Sequence, residues 1–159
     1  MTKNVLFVCL GNICRSPAAQ GIFRHLVPEL ETDSAGTAAW HVGKQPYQDM
    51  QTAIERRGLD ISDLRARQFC SSDYDRFDLI IVMDSENHAD VEAQRPAGNQ
   101  TPVSLFTDFV SGCGPDHVPD PYYTRDFDGC LDLLEQAAQG LRTALESSVS
   151  QARAHHPRP

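Results

Sequence analysis

The chain lacks an excess of positive charge. Its 159 residues carry 14 Lys and Arg against 22 Asp and Glu, a net charge of −8. Sequence-independent binding to nucleic acid needs a basic footprint, and an anionic lipid surface attracts the same sign, so both partner classes are disfavoured. An anionic ligand has to be captured locally, against the field of the whole molecule. Long apolar runs are missing too: no window approaches the roughly 18 apolar residues of a membrane span. The short run "NVLFV" near the start has no small-residue cleavage site after it and reads as a buried strand, not a signal peptide. Cysteines are few and unpaired in pattern: Cys9, Cys14, Cys70, Cys113 and Cys130. An odd count without a secretion signal argues against a disulfide framework. No C-x2-C pair suggests a structural zinc site. Cys70, Cys113 and Cys130 are therefore expected as small buried hydrophobes in a reducing cytoplasm.

What is present suffices for one core, since 40% of the chain is apolar. Strand-like runs occur at 4–8, 32–35, 78–83 ("DLIIVM") and 102–106 ("PVSLF"). Runs such as "LIIV" do not alternate, which is the pattern of strands buried on both faces. Helical patterns fill the intervals at 17–27, 46–57 and 85–94, and a long one runs from 126 to about 149. Ser16 before Pro17 reads as an N-cap, and Ser85 reads the same way. Strands alternating with helices predict an α/β single domain: a four-stranded parallel doubly wound sheet flanked by helices. The domain is expected to span 1–149, with 150–159 a disordered tail.

The segment "VCLGNICRSP" leaves the first strand-like run and enters a helix. In an open parallel sheet, ligands bind outside the carboxyl ends of the strands. Cys9 stands at such an end. The helix start beyond it offers free N–H groups and a positive dipole end. Gly11 takes any backbone angle and Asn12 tolerates the left-handed region, so the loop can curl its N–H groups inward around an anion. Arg15 adds a planar fork that fits two phosphate oxygens. The same positive field favours a thiolate at Cys9, poised against the phosphorus of a bound phosphate. Ser16 can donate to the sulfur when it becomes the leaving group. The competing reading is a buried cysteine ending a strand and an arginine on a helix surface.

A phosphate ester also needs an acid for its leaving oxygen. Asp120, in "PDPYY", is the candidate, although Asp-Pro is also a common turn opener. Its loop follows the fourth strand and so can reach the same crevice. Tyr122, Tyr123 and Trp40, the sole tryptophan, lie in loops after strands and suggest an aromatic slot for a planar leaving group. Core packing is the alternative for each of the three.

"VLFVCLGNICRSP" and "DPYY" resemble the low-molecular-weight protein tyrosine phosphatases, and "DSAGT", "ARQ" and "MDSEN" follow in order along the chain. The resemblance runs from about residue 4 to about residue 146. It implies an enzyme with no metal and no cofactor, in which Cys9 attacks phosphorus, Arg15 binds the phosphoryl oxygens and Asp120 protonates the tyrosyl oxygen. It implies further that Asn12, Ser16 and Ser34 form a polar network supporting the loop. Leu10 and Ile13 would join Trp40, Tyr122 and Tyr123 in the slot wall, and Cys14 would pair with an oxidised Cys9. The implied partner is a phosphotyrosine-containing protein or a small aryl phosphate, met by a cytoplasmic monomer or weak dimer.

One departure stands out. Some members of that family place a histidine two residues before the "ARQ"-like segment, where this chain has Leu64. An apolar side chain cannot donate to Asn12, so the network is expected to be smaller, or closed by water or another side chain. Two rival functions remain. A thiol-dependent arsenate reductase would use the same anion loop, but Cys70, Cys113 and Cys130 are too scattered in sequence to form a relay pair. A non-catalytic phosphotyrosine-binding module would keep the cradle without needing Cys9 or Asp120.

Overall fold

A computed structural model describes residues 2–112 and 114–154. Cys113, expected as a buried hydrophobe, lies outside the described residues, as do residues 155–159 of the expected tail. The elements run β1 (Asn4–Cys9), α1 (Arg15–Leu26), β2 (Glu31–Gly36), α2 (Gln48–Glu55), α3 (Asp73–Arg76), β3 (Leu79–Val82), α4 (Ser85–Glu92), β4 (Val103–Leu105), a 3-10 turn (Phe106–Phe109), α5 (Pro121–Thr124) and α6 (Phe127–Ala154). The four strands form one parallel sheet in the order β2-β1-β3-β4. After β1 the chain steps to one side to make β2, then crosses to the other side for β3. The carboxyl end of β1 is therefore the point where the connections diverge, which is where such sheets bind ligands.

The sheet is covered on both faces, which explains why its central strands are apolar throughout. Val5, Phe7, Leu79 and Ile81 pack with Phe23 of α1, Ile54 of α2 and Leu134 and Leu141 of α6. Leu6, Val8, Ile80 and Val82 pack on the other side with Phe69, Tyr74 and Phe77 around α3 and Val91 of α4. Phe7 meets the rings of Phe23 and Phe106 with centroids 5.7 and 5.3 Å apart. Each such fully buried side chain contributes about 1.5–3 kcal/mol relative to exposure. Among the described residues no helix is long and apolar enough to cross a membrane.

Both expected serine caps are wrong. α1 begins at Arg15, with Cys14 at the N-cap position and no side-chain cap bond. Ser16 is already helical and fully buried. The reason is the loop, whose curl ends two residues earlier than the Ser-Pro signal suggests. At α4 the cap is Asp84, whose Oδ1 accepts from Asn87 N at 2.7 Å, so Ser85 is the first helical residue. Cys70 also departs from expectation. It is exposed, because it lies in the irregular run after Phe69 that turns into α3 at the surface. Cys130, on the inner face of α6, is buried as expected.

Candidate active site

Residues 9–15 curl around a hollow because their carbonyls are engaged elsewhere. Cys9 O and Leu10 O accept from Thr37 N and Ala38 N at 2.9 and 3.0 Å, and Ile13 O accepts from Tyr47 N at 2.8 Å. The first main-chain bond of α1 runs from Ala18 N to Cys14 O, so the N–H groups of Arg15 and Ser16 precede the helical ladder. The left-handed residue in the loop is Asn12 (φ 57°), not Gly11. Glycine at 11 answers a different need: a Cβ there would stand 3.1 Å from His41 Cδ2. Gly36 is also required by a close approach, since a Cβ would sit 2.8 Å from Leu10 O.

The thiol at the centre is surrounded by donors. Asn12 N–H points at Cys9 Sγ from 3.3 Å, and Ser16 Oγ lies 3.0 Å from it. Asn12 Nδ2 donates to Ser16 Oγ at 2.7 Å, while Asn12 Oδ1 accepts from Arg67 N at 3.0 Å. Leu64, partly buried against the core, plays no part in this network. Asn12 takes its donor from the main chain instead, at Arg67 N. Ser34 stands apart: its hydroxyl donates to Gln20 Oε1 at 2.7 Å.

Arg15 is 3% exposed and is held from two sides. Its Nη1 donates to Asp84 Oδ2 at 2.8 Å and to Val118 O at 3.0 Å, and its Nη2 reaches Asp120 Oδ2 at 3.4 Å. Burial opposes its charge, but Cys9, Asp84 and Asp120 outweigh that and raise its pKa above the ordinary value. Asp120 caps α5 by accepting from Tyr122 N at 3.0 Å. Two other thiols have the opposite character. Burial, reinforced by Cys9, pushes the Cys14 thiol far up. Burial also pushes Cys130 up to about 12, with Arg15 opposing.

Cys9, Arg15 and Asp120 open into a cleft of about 240 Å³ lined also by Leu10, Gly11, Ile13 and Cys14 of the loop and by Trp40, His41, Tyr122 and Tyr123. The three expected slot aromatics are surface residues: Trp40 is 67% exposed, Tyr122 43% and Tyr123 69%. That disfavours core packing for all three. Tyr122 leans edge-on against Tyr47 at 5.5 Å and against Tyr123 at 5.3 Å. Tyr47 is braced in turn by Arg125, whose Nη1 donates to its hydroxyl at 3.1 Å.

The Cys9 thiol, the Arg15 guanidinium and a carboxylate from a distant loop thus share one cleft. Residues 4–151 match the family model described as low molecular weight phosphotyrosine protein phosphatase. The chain belongs to that family. A putative low molecular weight protein-tyrosine-phosphatase of Synechocystis is 42% identical to this phosphatase over 150 residues, covering 89% of this chain and 95% of its own. The human low molecular weight phosphotyrosine protein phosphatase is 36% identical over 156 residues, 92% of this chain and 96% of that one. The crystal structure of YfkJ from Bacillus subtilis superposes with a TM-score of 0.88 at 36% identity, covering 93% of this chain and 97% of that one.

Three participants escaped sequence reasoning. Asp84 both caps α4 and holds Arg15; an aspartate at the carboxyl end of "LIIVM" was the available signal. His41, in the cleft wall, follows Trp40 directly but carries no pattern of its own. Arg67 lies within the "ARQ" match, but nothing in that match marks its main-chain N–H as a donor.

Proposed function

We propose that this phosphatase hydrolyses phosphotyrosine and related aryl phosphate monoesters without a metal, through a phosphocysteine on Cys9. The observation that carries the reading is the convergence of Cys9, Arg15 and Asp120 on one cleft walled by exposed aromatics. Arg15 and the inward N–H groups hold the phosphoryl oxygens and supply the positive charge that a metal would otherwise bring. Cys9 Sγ attacks phosphorus, the S–P bond forms, and the bond to the aryl oxygen breaks as protonated Asp120 gives that oxygen its proton. Water then attacks phosphorus and passes a proton to Asp120, and the S–P bond breaks to release phosphate. Ser16, 3.0 Å from the sulfur, stabilises the departing thiolate. Leu10 and Ile13 from the loop, with Trp40, Tyr122 and Tyr123, hold the ring. Asn12 supports the loop from within, while Ser34, bonded to Gln20, ties β2 to α1. Cys14, held as a neutral thiol, is the partner for an oxidised Cys9.

The proposed partner is a phosphotyrosine-bearing protein or a small aryl phosphate, met by a monomer or weak dimer in the cytoplasm, where a reducing medium keeps Cys9 free. The test is hydrolysis of an aryl phosphate with chelator present. Wild type should turn over, Cys9→Ser should be inert, and Asp120→Ala should lose about 10²–10⁴-fold, most for poor leaving groups. Turnover by Cys9→Ser, or loss of wild-type activity on chelation, would overturn the reading.

A further inference from the structure

Arg67 touches neither the cleft nor the loop with its side chain, yet its main-chain N–H is what Asn12 Oδ1 accepts from, at 3.0 Å. That contact has a directional consequence. A main-chain N–H only donates, so Asn12 must turn its oxygen to Arg67 and its NH2 to Ser16. Ser16 Oγ then accepts from Asn12 at 2.7 Å, and its single proton is left for Cys9 Sγ at 3.0 Å in preference to Ala35 O at 3.4 Å. The relay ends as a donor on sulfur. With the amide reversed, Ser16 would be asked to give its proton to Asn12 instead.

Residues 63–72 belong to no helix or strand and meet the sheet by one isolated bridge, Gly36 to Gln68, so a second hold must help fix Arg67 N. Its guanidinium does so. Nη1 and Nη2 grip both oxygens of Asp73 at 3.1 and 3.0 Å, and Nε donates to Asp33 Oδ2 at 3.0 Å. Asp73 is fully buried and also accepts from Cys70 N at 3.0 Å, which ties it into the start of α3. Asp33 lies on β2, and Gly36 N at the end of that strand donates to Arg67 O at 2.8 Å. A fork joining β2 to α3 thus places one peptide N–H.

We infer that Arg67 is a positioning residue for the nucleophile: its Asp73–Asp33 clamp holds the main-chain donor that orients Asn12 and so directs the Ser16 proton to Cys9. This rests on Cys9 being the nucleophile. Weakening the clamp should make the sulfur a poorer thiolate, beyond any loss of stability. Arg24 provides a control remote from the site: it makes a two-pronged pair with the exposed Asp63 at 3.0 and 2.8 Å, and its remaining bond goes to Asp60 O.

The experiment compares wild type, Arg67→Ala, Arg67→Lys and Arg24→Ala. It follows Cys9 alkylation by iodoacetamide at pH 6 by peptide mass spectrometry, the pH profile of kcat/KM on an aryl phosphate, and the thermal midpoint. In Arg67→Ala the Cys9 alkylation rate and the kcat/KM at pH 6 should each fall about tenfold, the worth of one misdirected hydrogen bond to a charged group. The acid limb of the profile should move to higher pH. Arg67→Lys keeps the charge beside Asp73 but cannot span both carboxylates, so it should fall between; it decides the matter alone if Arg67→Ala does not fold. Arg24→Ala should lower the midpoint and leave the profile in place. If the Arg67 variants lower only the midpoint, as Arg24→Ala does, the inference is overturned. Absence of wild-type hydrolysis would refute the phosphocysteine reading instead, and the alkylation rates would still test this one.

Discussion

The floor and the rim of the cleft are built on opposite principles. In the floor Cys9, Asn12, Cys14 and Arg15 are at most 3% exposed, and Cys9, Asn12 and Arg15 each have a named polar partner. On the rim Trp40, Tyr122 and Tyr123 are largely in solvent, joined to the fold by ring contacts and a short helix. The floor has one geometry because misplacing a donor by an ångström weakens transition-state stabilisation. The rim needs area and flatness, and exposed aromatics supply both at low cost in ordering. Disturbing the floor should therefore change the chemical step, and disturbing the rim should change affinity.

Arg15→Ala is the largest break in that contrast, because it removes both the anion fork and the partner of Asp84 and Asp120. We expect kcat on an aryl phosphate to fall at least about 10²–10³-fold, with KM changing less; steady-state kinetics on folded variant checks this. The floor should also sort its thiols sharply. At pH 7 iodoacetate should label Cys9 and the exposed Cys70, while Cys14 and Cys130, held neutral by burial, stay unlabelled. Peptide mapping of the labelled protein reads this out, and rapid labelling of Cys14 would show a looser floor than described.

The rim gives smaller numbers. Trp40→Ala or Tyr123→Ala should raise KM about 3- to 10-fold with kcat nearly unchanged. A kcat loss equal to the KM change would mean the rim takes part in the chemistry. Smallest is a pair remote from both regions. The hydrogen bond from Arg24 holds the Asp63 pKa below its ordinary value, so this pair stabilises the fold at neutral pH and loses that contribution as pH falls through the acid range below about 4. Exposure of both partners limits it to about 0.5 kcal/mol. Denaturant titration should show wild type and Arg24→Ala separated at pH 7 and converging near pH 3.

The contrast also explains what the sequence disclosed. Strands β1 and β3 were legible because burial on both faces forces unbroken apolar runs, and the long α6 stripe was legible from its helical spacing. The loop residues were legible because a cysteine, glycine, asparagine and arginine stand close together between a strand end and a helix start, the pattern the proposed anion site would need. The local Ser-Pro signal points to a cap at Ser16, but the curl of the loop overrides it and starts α1 at Arg15. Asp84, His41 and Arg67 were missed for another reason. Their contributions depend on which segments meet across the sheet, and in the case of Arg67 on a peptide N–H that every residue but proline possesses. Leu64 shows the same limit from the other side. The missing donor was visible in the sequence, but its replacement was not.

The most direct test of the phosphocysteine account is an acid quench of the phosphatase during turnover of an aryl phosphate, followed by mass analysis of the peptide containing Cys9. The account predicts a phosphoryl group on Cys9 that is absent in Cys9→Ser and fades as substrate is exhausted. Sustained turnover with Cys9 unmodified at every quench time, and with Asp120→Ala failing to accumulate any adduct, would contradict it.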